Sequence, residues 1–249
     1  MKQKAAPSTS STIQPSIPRA DLLPVPFENK HFSAAPWDES IFCMPCFEII
    51  EANEESLAQA AAHAGHYTVK IDPLADKSLL HLHGFYYTDT LIEPCCRQDR
   101  FINHTHPKVG IDYHASLQDL LPMCDSSFMH GRFHRDFNLD RKLADQRYKQ
   151  WLTQLHAKTN VMGLTYEEEL AGFIAFDNGN LLLHVIDAPF RGQGLAKHLW
   201  SVAIQSLFNQ GITEVRSSIS AANLAVLNLY ASLGFRFDNA QDIYHKLTR

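Results

Sequence analysis

No apolar run in this 249-residue chain approaches the ~20 residues that cross a bilayer. The first 30 residues are rich in Ser, Pro and Thr and lack the apolar core of a secretory signal. A flexible tail over 1–30 and a soluble, cytoplasmic protein that avoids membranes are therefore expected. Basic charge is also short: 22 Lys and Arg stand against 27 Asp and Glu, a net charge of −5. Without a basic field, nucleic acid is not an expected partner. Cysteine is scarce and odd in number, at five. Cys43 and Cys46 have C-x-x-C spacing and Cys95 adjoins Cys96, but no second C-x-x-C exists, so structural or free thiols are expected. Histidine is abundant, and His81/His83, His104/His106 and His130/His134 are closely spaced. None has a third carboxylate or thiol at ligand spacing, and no metal is expected.

What is present is a 45% hydrophobic chain, enough for a large core in one domain or two. Its most informative segment is Arg191-Gly192-Gln193-Gly194-Leu195-Ala196. Before it runs Leu181 to Ile186, apolar except for His184 and of strand length. After it, Leu195, Leu199, Val202, Ala203 and Leu207 fall on one helical face, and Gly211 supplies the stop. Two glycines let the backbone turn sharply, and a helix N-terminus adds unpaired N–H groups, so the turn suits a phosphate. A plain strand-to-helix connector has the same outline. The turn lacks the Gly-Lys-Ser/Thr ending of a P-loop and the three glycines of a dinucleotide fingerprint.

Downstream, Glu214 to Ser220 alternates as a strand. A short helix from Asn223 ends at Gly234-Phe235, and a last strand carries Ile243 and Tyr244. At about 100° per residue, Asn223 and Tyr230 lie about 20° from alignment, on one face and about 10 Å apart. The pattern strand, Arg-x-x-Gly-x-Ala, helix, strand, Asn-x6-Tyr-x3-Gly-Phe resembles the acetyl-CoA-binding core of the GCN5-related N-acetyltransferase (GNAT) superfamily. It spans residues 181–235. The resemblance implies that the turn amides of Arg191, Gly192, Gln193, Gly194, Leu195 and Ala196 bind the CoA pyrophosphate. It also implies that the strand end at Ile186 and Ala188 splays to pair with the pantetheine arm. Asn223 then contacts that arm, and Tyr230 stands near the sulfur as general acid. Lys197, just past the turn, would face a CoA phosphate. One departure is visible: the family usually has proline three residues before the arginine, whereas here Ala188 stands there and Pro189 follows.

From residue 107 the element order matches that topology. A strand is expected at Val109–Tyr113, helices at Leu117–Phe128 and Leu143–His156, and strands at 161–166, 171–176 and 181–186. Asp177-Asn178-Gly179 marks a tight turn. The implied fold is α/β (α+β), a mixed central sheet with flanking helices. Residues 107–249 would form the catalytic domain and 31–106 a smaller, truncated GNAT-like subdomain. In that N-terminal part, Leu79 to Phe85 echoes Leu229 to Phe235: a short apolar helix, then Gly-Phe, then a strand. Cys43 to Ile50 reads as a strand around a proline.

Trp37, Asp38 and Phe42, with Phe128, Arg132, Phe133, Asp136, Arg147, Tyr148 and Trp151, are similar to one GNAT branch. That branch acetylates the 4-amino group of dTDP-linked amino-dideoxy sugars (dTDP-fucosamine N-acetyltransferases). The resemblance implies acetyl-CoA as co-substrate, direct transfer to a primary amine, no metal, a small-molecule amine acceptor, and a homodimer as an open option. Arg132, Arg135 and Arg141 then suit the diphosphate of a nucleotide sugar, solvated loop charge being the other reading. A different amine, antibiotic or peptide acceptor, or a non-catalytic acyl-CoA-binding module, stand as alternatives.

Transfer from a thioester to an amine requires a neutral amine, an oxyanion donor and a proton for the thiolate. The backbone N–H at or just after Ile186 is the expected oxyanion donor. Tyr230 is the expected acid, its ordinary pKa near 10 lying above a thiol's near 8.5; packing in an apolar face is the alternative. His184, two residues before Ile186 on the same strand face, has the right ordinary pKa for a base. It is equally readable as a core histidine, with Asp187 or a water chain as other bases.

Overall fold

The structure, a computed structural model, describes residues 31–249, and the tail expected over 1–30 lies outside them. Strands and helices alternate along the chain. The first half contains β1 (Phe32–Ala34), α1 (Pro36–Phe42), β2 (Cys46–Ile49), α2 (Glu54–Ala62), β3 (Gly65–Ile71), α3 (Ser78–Leu82) and β4 (Tyr86–Arg97). The second half continues with β5 (Val109–Asp112), α4 (Leu117–Leu120), α5 (Arg132–Arg135), α6 (Arg141–Ala157), β6 (Val161–Tyr166), β7 (Glu169–Asp177) and β8 (Asn180–Ile186). It closes with α7 (Ala196–Asn209), β9 (Glu214–Ser217), β10 (Ile219–Ser220), α8 (Leu224–Ser232) and β11 (Arg236–Thr248).

The strands form one mixed sheet in the order β1-β2-β3-β11-β4-β9-β8-β7-β6-β5, with β10 also pairing β4. The pairs β2/β3 and β8/β9 are parallel and the others antiparallel. Helices cover both faces, as an apolar sheet requires. Leu199, Ala203, Ile204 and Leu207 of α7 join Ile174, Leu181, Val215 and Phe235 in one core. Tyr148, Leu152 and Leu155 of α6 pack with Phe173, Leu183 and Val185 in another. A third core, with Phe47, Leu57, Tyr67 and Tyr244, belongs mainly to the N-terminal strands. No helix among the described residues is long and apolar enough to cross a membrane.

Local chemistry accounts for most boundaries. Asn53 and Ser56 cap α2 reciprocally, each side chain accepting the other's backbone N–H at 3.0 Å. Asn178 and Gly179 have φ of 45° and 83°, as a two-residue hairpin between β7 and β8 demands.

Three elements differ from the sequence reading. The helix expected over 117–128 stops at Leu120 and gives way to a 3-10 turn over Leu121–Cys124. Pro122 has no N–H to continue the α ladder. The strand expected over 214–220 breaks at Ser218: β9 pairs with β8 and β4, whereas β10 pairs with β4 alone. The strand expected over 43–50 starts only at Cys46, because Cys43 adopts left-handed backbone, φ 54°, to close α1. All five cysteines are free.

A buried polar node ties the halves together. Asp136, 1% exposed, follows α5 and sits beside β3, β4 and β11. Its Oδ2 accepts from His245 Nδ1 at 2.8 Å, His66 Nε2 at 3.2 Å and the Tyr86 hydroxyl at 3.0 Å. Its Oδ1 accepts the backbone N–H of Asn138 at 3.0 Å. A carboxylate only accepts, which fixes both histidines as donors toward it. These hydrogen bonds hold the carboxyl well below its usual range against the opposing effect of burial. Burial pushes His245 down to about 3, and its other ring nitrogen has no partner. Asp136, His66 and His245 are also the one group of three potential metal ligands found among the described residues. Because the Asp136 carboxylate is already met by protein donors, the arrangement reads as a structural network.

Candidate active site

The sheet opens at β8. On one side β8 pairs with β7 to its end, the last register being Gly172↔Ile186. On the other side its ladder with β9 has only Asn180↔Arg216 and Leu181↔Ser217. From Leu182 onward the β9-facing edge of β8 is therefore unpaired. Backbone groups alternate along a strand. Asp187 N–H donates to Ala171 O at 2.8 Å, so the Ile186 N–H points the other way, into the split. Of the two expected oxyanion donors, Ile186 is the one free to act.

The split widens into a cleft of about 820 Å³. Its lining includes Ile186, Arg191, Gly192, Ala196 and Asn223, together with Asp89, Arg132, Arg147, Tyr148 and Trp151. The sequence-derived set is thus partly brought together here, His184 included. Ala188, Gln193, Gly194 and Lys197 are exposed and outside the lining, while the Leu195 side chain is buried in the core, leaving only its backbone for a ligand.

The turn is built for backbone recognition. Gly192 and Gly194 both have φ of +74°, and a Cβ at either would meet nothing within 4 Å. Backbone conformation, not space, selects glycine there. Leu195 makes no side-chain cap on α7, a fourteen-residue helix, so the Ala196 and Lys197 N–H groups stay available to an anion, while His198 N–H donates to Leu195 O at 3.0 Å. Arg191 braces the turn, donating from Nε to Ile186 O and from Nη2 to Ser127 Oγ, each at 2.8 Å. The proline displaced to position 189 opens a short 3-10 turn, Ala188–Phe190, capped by Asp187 accepting the Ala188 N–H at 2.8 Å.

Asn223 is the N-cap of α8, its Oδ1 accepting the Val226 N–H at 3.3 Å, and it is half-buried in the cleft wall. Tyr230, on the same helix, is 0% exposed, and its hydroxyl has no hydrogen-bond partner. It is therefore behind the lining, not on it. Its ring lies 4.8 Å from Phe235 and 5.9 Å from His184 between centroids. Burial pushes the phenol up to about 12, opposed by the nearby polar groups of Ser217 and Trp200, neither of which is within hydrogen-bonding geometry of the hydroxyl. Both of those side chains line the cleft, so the hydroxyl stands just behind the split.

The base expected at His184 meets a physical obstacle. Its ring is edge-on to Trp200, with centroids 5.2 Å apart, and burial pushes its pKa down to about 4. A neutral imidazole that resists protonation so strongly is a poor proton acceptor. Asp187 is committed to capping. The arginines also differ from expectation. Arg132 stacks over Phe133 at 4.9 Å from the ring centroid and lines the cleft, with burial lowering its pKa. Arg135 is not free: its Nη1 donates to Asp89 Oδ1 at 2.6 Å. Arg141 lies over exposed Phe137.

Asp89, Trp200 and Ser217 were not found by sequence reasoning. Asp89 stands in an alternating run, Tyr86 to Leu91, where nothing local marks it as buried. Trp200 on the α7 face was indistinguishable from core.

His245, fully buried, and His184, half-buried in the cleft lining, both bear on stability. A histidine whose folded pKa is lowered to about 3 (His245) or about 4 (His184), against an ordinary value of 6.5, stays neutral while the unfolded chain takes up its proton. Stability is then full above about pH 6.5 and falls as pH drops towards those folded values. The thermal midpoint measured from pH 8 to pH 4 is expected to be flat above 7 and to decline steadily below 6.5. A midpoint that rises between pH 7 and 5 would contradict the two assignments.

Sheet order, split strand and glycine turn define the acetyltransferase architecture of the GNAT type. Residues 136–246 match the family model described as acetyltransferase (GNAT) domain. A curated relative, the N-alpha-acetyltransferase MAK3 of Arabidopsis thaliana, is 34% identical over 67 residues. That alignment covers 27% of this chain and 34% of the relative, so the chain spans about a third of its length. Among solved structures, a GCN5-related N-acetyltransferase from Sphaerobacter thermophilus superposes with a TM-score of 0.55 at 13% identity, covering 76% of this chain and 62% of that one. A conserved protein of unknown function from Staphylococcus epidermidis gives 0.58 at 12%, over 86% and 89%. A tandem GNAT protein from the clavulanic acid biosynthesis pathway gives 0.52 at 12%, over 82% and 75%. At these identities the likeness is one of fold.

Proposed function

We propose that this protein is an acetyl-CoA-dependent N-acetyltransferase that moves the acetyl group directly to a primary amine within a ternary complex. One observation carries the reading: the β8/β9 ladder ends after two residue pairs, beside an uncapped helix N-terminus and a left-handed glycine turn. An unpaired strand edge suits the amides of a pantetheine arm, and the turn suits its pyrophosphate. The Ile186 N–H would hold the tetrahedral oxyanion, and Tyr230 would supply the proton that leaves with sulfur. Arg191, Gly192, Gln193, Gly194, Leu195, Ala196 and Lys197 belong to the CoA side, with Ile186, Ala188 and Asn223 along the arm.

The acceptor would lie beside Trp151 and Arg132, which line the same cleft. The indole and the guanidinium offer stacking and anion recognition, which supports a nucleotide-linked amino sugar. The name of the Arabidopsis relative favours a second reading, in which the acceptor is a peptide α-amine. Residues 31–106 make up the truncated GNAT-like part, and the tandem GNAT protein aligns beyond the matched domain, which fits that reading. β4 of this part lies in the catalytic sheet between β9 and β11, so both parts would fold as one body.

Thiol release from acetyl-CoA, followed over a panel of dTDP- and UDP-amino sugars, simple amines and peptides with free N-termini, tests the proposal. Turnover with an amino sugar nucleotide supports the first acceptor and turnover with peptides the second. Tight acetyl-CoA binding without turnover on any amine would leave a non-catalytic binding module.

A further inference from the structure

The acceptor's proton needs a destination, and the expected one, His184, is unsuited. Asp89 is a buried carboxylate bordering the cleft whose hydrogen-bonding capacity is incompletely met. It lies on β4, is 0% exposed, and borders the same cavity as Ile186, Trp200 and Asn223. Its Oδ1 accepts from Arg135 Nη1 at 2.6 Å, Ser220 Oγ at 2.7 Å and the Thr90 backbone N–H at 2.9 Å. Its Oδ2 accepts from nothing. A buried carboxylate oxygen without a donor is costly and rare in a folded protein, and an ammonium group is the donor that would relieve it. Asp89 is also coupled to the donor side of the cleft. Ser220, which holds it, accepts the Asn223 N–H through its backbone oxygen at 3.0 Å, and Ala221 N–H donates to Thr90 O at 2.7 Å.

We propose that Asp89 is a catalytic residue, binding the acceptor as its ammonium ion through Oδ2 and then taking one of its protons. The inference rests on the acetyltransferase reading. One N–H proton moves to Oδ2, and the freed nitrogen lone pair forms the C–N bond at the thioester carbon, placing a negative charge on its oxygen. When that oxyanion collapses the C–S bond breaks and Tyr230 gives its proton to sulfur. A second nitrogen proton restores Tyr230, and Asp89 returns its proton to solvent.

The surroundings of Asp89 suit this role. Burial raises its pKa, while Ser220 and Arg135, then the Thr90 N–H and Arg132, oppose the rise. Arg132 and Arg135 of α5 and Tyr148 of α6 are the charged or titratable groups that act on it. Asp242 of β11 instead accepts from Thr90 Oγ1 at 2.6 Å and pairs with Lys77 at 3.5 Å. Removing Arg135 takes away a positive charge, so Asp89 would hold its proton to higher pH.

The test uses the full-length protein and the best acceptor from the amine panel. Asp89→Asn keeps the shape and the Ser220 contact. It is expected to lower kcat/KM by ~10²-fold or more and to abolish the acidic limb of the pH profile, with acetyl-CoA affinity unchanged by calorimetry. Asp89→Glu is expected to restore part of the rate and the limb. Arg135→Gln is expected to shift the limb to higher pH, and this decides the matter should Asp89→Asn fail to fold. Wild-type-like turnover in Asp89→Asn, or an acidic limb unmoved in Arg135→Gln, overturns the assignment while leaving acetyl transfer intact. Absence of turnover on every amine overturns the transfer reading and Asp89's role with it.

Discussion

Replacing Tyr230 by Phe is expected to lower turnover by ~10²-fold or more, the usual contribution of a positioned general acid, while leaving the fold as stable as before or slightly more so. The two effects point in opposite directions because the hydroxyl is buried and unpartnered. Such a group costs about 1–3 kcal/mol, so a tyrosine kept only for packing would do better as phenylalanine. Burial also holds the phenol at about 12, above the ordinary value near 10. The proton is then firmly in place at any working pH, and its transfer to a thiolate is uphill until the C–S bond is well broken. The rate is therefore expected to show no basic limb from Tyr230 below about pH 10. Steady-state kinetics and thermal melting on the same preparation check this. Full turnover in Tyr230→Phe would remove the acid role.

Asp136→Ala is the substitution expected to cost most in stability. It strands His66, His245 and the Tyr86 hydroxyl, all of which now donate to one carboxylate. Removing one member of a buried charged network destabilises by about 3–5 kcal/mol, against a total of about 5–15 kcal/mol for a typical protein. With a slope of about 2–3 kcal/mol per molar urea, the unfolding midpoint is expected to fall by more than about 1 M. Because the node joins β3, β4, β11 and α5, both halves are expected to lose structure in one transition. A midpoint unchanged within error would show that the node does not hold the halves together.

What sequence could supply was local. The glycine turn, the α7 stripe and the Asn178-Gly179 hairpin declare themselves within a few residues, because turn chemistry and helical period are short-range properties. Asn223 and Tyr230 were legible through their spacing and the Gly234-Phe235 that follows. The insertion of β4 between β9 and β11 left no such mark, since strand pairing across more than a hundred positions depends on the whole sheet. Asp136 meets partners 70 and 109 positions away, and His66 and His245 escaped attention for the same reason, while the closely spaced histidine pairs drew it instead. Asp89 is the instructive omission. Its importance lies in burial and in one oxygen without a donor, neither of which a residue type conveys.

The cleft joins these parts: an opened strand edge and a helix N-terminus, with an indole, a guanidinium and a buried carboxylate in the same lining. Within it an acetyl group would pass from CoA to an amine. Mass spectrometry of the acceptor, run alongside CoA thiol release on one sample, tests it most directly. One acetylated amine is expected for every thiol released, with neither product formed when the amine is left out. Thiol released without an acetylated amine, or acetyl-CoA bound and never consumed, would contradict it.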